Sequence, residues 1–285
     1  MYNVIIKVAL AAGCVASMMG CGPNETEKQQ LHAKEIIDSV KQLETAGKYI
    51  EALDVLARVD SLCPKALDER KEAHAMKPAL MMNATTQEIA MTDSLMVASE
   101  IKADELMKQL AVIKTPYESY YGYAKLKGVS PRTTAGLYAE LSLQGLVFHL
   151  TASGKGSSYG VKVRVSDRTA REYRETQLVD FDGERNRLTD NGLQIVTLTE
   201  AESAPLGAFV SAHRNADLWI SIVTAGGKSW SDTQLSKEQI DGVATLYDIM
   251  EQRRIYNECK ARLEHLNNKL NVLRNQQAEF ADLKP

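Results

Sequence analysis

The chain has 285 residues, and its 34 basic and 37 acidic side chains leave a formal charge of −3, a balance that gives no general attraction to nucleic acid or to an anionic membrane face. A hydrophobic content of 44% is ordinary for a globular core, and the length allows one large domain or two modest ones. Beyond residue 21 no run stays apolar for about 18 residues, so no bilayer-spanning helix is expected there and that part should be soluble.

Residues 1–20 read as an export signal. A positive start with Lys7 leads into an apolar run from Val8 to Met19, closed by Gly20-Cys21 and followed at once by the polar stretch Gly22-Pro23-Asn24-Glu25. Gly13 precedes Cys14 as Gly20 precedes Cys21, so both cysteines compete for a lipid. Cleavage at Cys14 would leave only six apolar residues after Lys7 and an apolar mature start, whereas cleavage at Cys21 gives a signal core of ordinary length. Cys21 is therefore the expected lipid attachment site, and the membrane, through that anchor, the expected partner. Residues 21–30 are polar and read as an extended tether, with the folded part starting near Leu31.

Residues 31–82 are expected to form helical hairpins. Gly47-Lys48-Tyr49-Ile50-Glu51-Ala52-Leu53, with Leu56, Val59 and Pro64, resembles the second helix of a tetratricopeptide repeat, giving one degenerate unit near residues 34–64. Pro78 should end or kink the next helix near Lys77. A first stalk helix is expected over 83–116, where Ile89, Thr92, Met96, Ser99, Ala103, Leu106, Leu110 and Ile113 fall 3 and 4 apart. A C-terminal stalk helix over 235–283 repeats the spacing in Tyr256, Cys259, Leu263, Leu266, Leu270, Leu273, Gln277 and Phe280. Such narrow stripes suit an antiparallel coiled-coil pair.

Between them, residues 117–234 change period to 2. Leu137 to Leu143 and Val161 to Val165 alternate apolar with polar, and further strands are expected at Leu146–Thr151, Arg171–Leu178, Leu193–Leu198 and Leu218–Thr224. Turn signals punctuate them, among them Asp182-Gly183 and Gly226-Gly227, and Pro205 to His213 looks like a short helix. The fold class is α+β: an N-terminal helical hairpin, then an antiparallel sheet or small sandwich of about six strands inserted between two long paired helices.

Tyr117-Glu118 with Tyr120 and Tyr121, the strand Leu218–Thr224 running into Gly226-Gly227-Lys228, and Leu235-Ser236-Lys237-Glu238 opening the last helix together resemble uncharacterised Bacteroidota envelope lipoproteins. The resemblance covers roughly residues 85–255 and includes no diagnostic catalytic motif. It implies envelope localisation, in the outer membrane, on its periplasmic face or at the cell surface, and it implies no particular activity.

No catalytic residue is singled out by spacing, and no cofactor is expected. The five histidines lack a metal-ligand spacing, and Gly226-Gly227-Lys228-Ser229 lacks the first glycine of a phosphate loop, Ile222 standing there instead. Asp180, Asp182 and Glu184 alternate as calcium ligands would, but Arg185 occupies the glycine position of such a loop and Asn191 the terminal glutamate position. Cys63 and Cys259 are expected to be free thiols. Tyr117, Tyr120, Tyr121 and Tyr123 cluster after Pro116 and suit either a wedge between modules or a surface that stacks a sugar ring or a partner. These features favour a non-catalytic structural or protein-interaction lipoprotein bound to an unknown envelope protein or glycan, with no nucleic acid. A glycan- or small-ligand-binding surface lipoprotein is the first alternative and an enzyme of unrecognised class the second.

Overall fold

A computed structural model describes residues 24–114, 119–142, 145–153, 160–179, 187–190 and 192–282. The signal segment with Cys21, Tyr117 and the acidic loop Asp180 to Glu184 lie outside the described residues. The architecture is α+β, with antiparallel sheets placed in the chain between two long helices. The chain divides into two compact units, the first made of 1–88 and 266–285, the second of 89–265.

In the first unit, α1 (Glu25–Thr45) starts where Asn24 caps it: Glu27 returns its carboxylate to the Asn24 backbone, closing a capping box. The helix thus includes Glu25 to Gln30, which corrects the expectation of an extended tether through residue 30: Asn24 and Glu27 supply a helix start within the polar stretch. A turn at Gly47, with φ of +70°, where glycine carries no Cβ penalty, leads to α2 (Tyr49–Leu56) and α3 (Arg58–Leu62). Ile37, Val40, Ala52, Leu56, Val59 and Cys63 form one core, joined by Ala73 and Leu80 of α4 (Leu67–Met107). Lys41 of α1 meets Glu72 of α4 at 2.9 Å. The helix α4 runs through Pro78 without a break, against the expectation of an interruption near Lys77. The lost bond is one proline N–H, and Leu80, fully buried two residues on, holds the helix to the core. From the far end of the chain, Leu266, Leu270 and Leu273 of α6 (Lys237–Asp282) are buried in this unit.

Among the described residues the second unit has ten strands, where about six were expected. The first sheet has the order β1 (Leu110–Lys114), β2 (Ser119–Tyr123), β3 (Gly136–Ser142), β4 (Gly145–Ser153), β8 (Leu193–Leu198), β7 (Arg187–Asp190). The second has the order β10 (Ser229–Gln234), β9 (Leu218–Thr224), β5 (Val161–Asp167), β6 (Glu172–Glu175), and every pairing is antiparallel. One core joins both sheets: Leu137, Phe148 and Leu150 from the first, Val163 and Ile220 from the second. Leu206 and Val210 of α5 (Glu200–Ala212) and Val243 and Leu246 of α6 complete it. Thr199 and Glu202 cap α5 reciprocally, so the helix begins five residues before Pro205, which lies inside it.

The expected stalk helix 83–116 is corrected at its end. The helix stops at Met107, and Leu110 and Ile113 belong to β1, which pairs with β2 in register Leu110↔Tyr123 to Lys114↔Ser119. Leu106 and Leu110 pack on the β core rather than serving as a stalk seam. Upstream, the three-four stripe persists: Thr92, Ser99 and Ala103 are buried on α4 and Cys259 on α6, with Met96 and Leu263 half-buried. The Arg253 guanidinium of α6 reaches the Met107 sulfur at 3.8 Å. Cys63 and Cys259 are free and buried. Among the described residues no helix is long and apolar enough to cross a membrane.

Candidate functional site

β2 separates the tyrosine cluster. Tyr120 points to one face of the strand, and Tyr121 and Tyr123 to the other, because successive strand residues alternate. Tyr123 is buried, and a Cβ placed on Gly242 of α6 would lie 3.1 Å from its Cβ, so strand and helix approach closely there. Tyr121 is 40% exposed, and Tyr120 is half-buried beside Ile113. The hollow that Tyr120 and Tyr123 share with Tyr138 measures about 20 Å³, far below the several hundred Å³ of a typical ligand pocket. Tyr120 and Tyr123 therefore share only a narrow hollow, and Tyr121 is not among the residues that line it.

The second sheet assembles a different constellation. Alternation along β5 turns Val161, Val163 and Val165 inward and Lys162, Arg164 and Ser166 outward. On β9, Trp219 stands opposite Ser166 and Ser221 opposite Arg164, on the same outer face. Asp167 ends β5, its carboxylate accepting from the Thr169 and Ala170 amides at 2.9 and 3.0 Å, and this turn carries Arg168 over the face. The Arg168 guanidinium carbon lies 3.9 Å above the Trp219 ring.

A β-bulge in β10, where the register shifts between Trp230 and Thr233, presents the counter-charge. Asp232 accepts from the Ser221 hydroxyl at 2.6 Å, the Ser229 hydroxyl at 3.0 Å and Arg168 at 2.5 Å. The Ser221 bond foremost, with Ser229 and Arg168 adding to it, holds the Asp232 carboxyl below the usual carboxylate range despite partial burial. Beside it, Arg164 donates to Glu175 at 2.7 Å and stacks on Tyr173 at 4.7 Å. Burial pushes the Glu175 carboxyl up, but Arg164 and Lys162 outweigh it and the net direction is down.

Among the described residues, two that are not glycine adopt left-handed backbone, Arg171 with φ of +57° and Ser231 with φ of +58°. Both border this place: Arg171 lines the hollow and Ser231 forms the bulge that aims Asp232. Side chains resist that conformation, so its occurrence at both turns beside one hollow marks a place where the surrounding structure holds the backbone off its minimum.

The hollow over the face is open to solvent and measures about 380 Å³. A second, of about 470 Å³, lies between β6 and α5, and the two share Arg171, Glu172 and Tyr173. In the second, His213 stacks on Phe209 at 4.2 Å, and its ring nitrogens face the Phe209 carbonyl at 2.9 Å and the Glu172 carboxylate at 3.1 Å. Its floor is apolar: Pro205, Ala208, Phe209 and Ala212. Arg171 and Arg174 on its rim have no partner among the described residues. The arrangement offers fixed donors, fixed acceptors and flat aromatic surface, which is equipment for recognition. Among the described residues no group of three His, Cys, Asp or Glu side chains is placed to hold a metal ion.

Part of this was legible: the outward positions of Arg164 and Ser166 follow from the alternation in β5. Asp232 and Arg171 were not, because both depend on strained turns that carry no glycine signal. No family model, curated protein or solved structure matches this chain.

Proposed function

We propose that this chain is an exported envelope lipoprotein, anchored through Cys21, whose β domain is a non-catalytic interaction module contacting its partner with the outer face of the second sheet. The anchor rests on the apolar run Val8 to Met19 and the polar stretch that follows Cys21. The observation that carries the module is Arg168 lying on Trp219 while it pairs with Asp232, with Ser221 and Ser229 completing the network. An ionised carboxylate tied to three donors suits holding a partner in one geometry, not passing protons, because its proton affinity is lowered by the same bonds.

Two measurements test the reading. Cys21→Ala should abolish fatty-acid labelling and release the protein into soluble fractions, whereas Cys14→Ala should leave both unchanged. A photo-crosslinking amino acid at Ser166 should give adducts in intact envelopes, while the same group at the exposed Lys260 of α6 should not. Crosslinking from Lys260 with none from Ser166 would refute the assignment of the face.

A further inference from the structure

β6 ends its sheet: among the described residues it pairs with β5 on one side and with no strand on the other. The Thr176 amide, just beyond it, donates to the Val163 carbonyl at 2.9 Å, and the backbone groups of a strand alternate in direction. Glu172 and Arg174 therefore turn their N–H and C=O groups to β5, whereas Tyr173 and Glu175 turn theirs to the free edge. The side chains alternate as well. Tyr173 and Glu175, opposite Ser166 and Arg164, stand on the outer face, and Glu172 and Arg174, opposite Asp167 and Val165, stand on the inner face beside α5. Arg171, Glu172, Tyr173 and Arg174 are all exposed, and neither arginine has a partner among the described residues.

Charged side chains commonly keep an edge strand from pairing. Here their order favours one partner. Turned about Tyr173, the run Arg171-Glu172-Tyr173-Arg174-Glu175 meets its own copy with every charge matched: Glu172 opposite Arg174, Arg171 opposite Glu175, and Tyr173 opposite itself. Antiparallel strands set side chains of one face opposite each other, so the neighbouring two-fold registers centre on Glu172 or Arg174 and oppose like charges. The centre at Tyr173 is also the one the backbone supports, because the outward N–H and C=O groups of Tyr173 can bond the same groups of the copy. A two-fold interface requires this kind of self-complementarity, residue i meeting j while j meets i.

We infer that β6 pairs antiparallel with β6 of a second copy of this chain, the two-fold lying at Tyr173, and that two four-stranded sheets thereby join into one of eight strands. The inference goes beyond the contact face proposed above, since it uses the edge of the sheet. An unrelated strand has the same backbone groups to use; the inverted order of charges is what selects the chain itself. Beside the edge, α5 presents Pro205, Ala208 and Ala212, small and uncharged, so no charge on that surface opposes a second copy. β10, at the other edge of the same sheet, is interrupted by its bulge and offers no such continuous row.

Crosslinking and a charge swap test the pairing. In the joined strands the two Tyr173 Cα atoms stand about 5.5 Å apart, within disulfide reach, whereas the two Glu175 Cα atoms stand roughly 14 Å apart at ~3.3 Å per residue. Mild oxidation of the purified full chain should join two copies of Tyr173→Cys through the introduced cysteine and leave Glu175→Cys single, as peptide mapping will show. In sedimentation equilibrium the parent should be a dimer. Glu172→Arg and Arg174→Glu should each weaken it at least about tenfold, because each opposes like charges. Mixing these two variants in equal amounts should restore dimers, since every charge then faces its opposite, and the double variant should dimerise alone. A monomeric parent, a disulfide from Glu175→Cys as readily as from Tyr173→Cys, or a mixture as weak as the separate variants would each overturn the inference. In intact envelopes, an adduct of Tyr173→Cys with a different protein and none with its own copy would overturn it too. If these arms fail while Ser166 still crosslinks to an envelope protein, the dimer falls and the contact face stands.

Discussion

Gly136 and Gln239 occupy nearly the same space: a Cβ built on Gly136 would stand 1.8 Å from the Gln239 side-chain nitrogen. That nitrogen donates to the Ala135 carbonyl at 3.3 Å and the Tyr138 hydroxyl at 3.0 Å, joining the start of α6 to the first strand of the large hairpin. Gly136 also sits at φ of +150°. Gly136→Ala should therefore displace the amide and strain the backbone together. The expected loss is about 2–4 kcal/mol, the sum of a strained backbone and one or two buried hydrogen bonds. Urea melts of Gly136→Ala and Gln239→Ala check it: the glycine variant should be the less stable of the two, since Gln239→Ala removes the bonds without forcing the backbone.

The stripe on α6 sets a second expectation. Leu266 is 3% exposed whereas Val272, six residues on, is 54% exposed. Leu266→Ala should cost about 2–5 kcal/mol through lost contacts and the cavity left behind. Val272→Ala should fall within about 0.5 kcal/mol of the parent, alanine being the better helix former. Equal effects from the two would show that the end of α6 is not packed as described.

The two thiols offer a chemical test of burial. Burial pushes the Cys63 thiol up, away from the reactive thiolate, and Cys259 is 6% exposed. Both should resist iodoacetamide at pH 8 in the native protein and react fully in urea, as peptide mapping of each site will show. Reduction should leave the intact mass unchanged, since neither is in a disulfide.

Acid should weaken the second sheet in a defined window. The folded-state carboxyls of Asp232 and Glu175 both lie below their ordinary values. Their stabilisation is present above the unfolded values, roughly 3.9 and 4.3, and is lost as pH falls through the lower folded values. Glu175→Gln should cost about 1–2 kcal/mol at pH 7, in line with a hydrogen-bonded charge pair that is mostly shielded from water. The gap between variant and parent should close between about pH 4 and 2, as thermal melts across that range will show. A gap that stays constant would mean that charge on Glu175 contributes nothing.

Where the chain was legible, the pattern had one cause. β9 is found at Leu218–Thr224 as its period and turn signals indicate, and β8 likewise at Leu193–Leu198. At β1 the sequence reads as helix, because Leu110 and Ile113 continue the three-four spacing of Ala103 and Leu106 and no glycine marks the turn at Lys108-Gln109. β10 has no clean alternation, since the bulge at Ser231 inserts a residue into the period of 2, and the same bulge hid Asp232. The site escaped for a related reason: Arg168, Arg171 and Asp232 are brought to the face by turn geometry that local composition does not specify.

The first unit draws on both ends of the chain, with Ile89 to His265 between its parts. On a ribosome moving at about 5–20 residues per second, the segment carrying Leu266, Leu270 and Leu273 emerges roughly 10–35 s after Glu88. The core around Ile37, Val59 and Leu80 is encoded locally and can form at once. Leu266, Leu270 and Leu273 can join that unit only after the whole of Ile89 to His265 has been made. Completion of the first unit is thus tied to passage of the second, and a stall within residues 89–265 leaves the first unit without its α6 leucines.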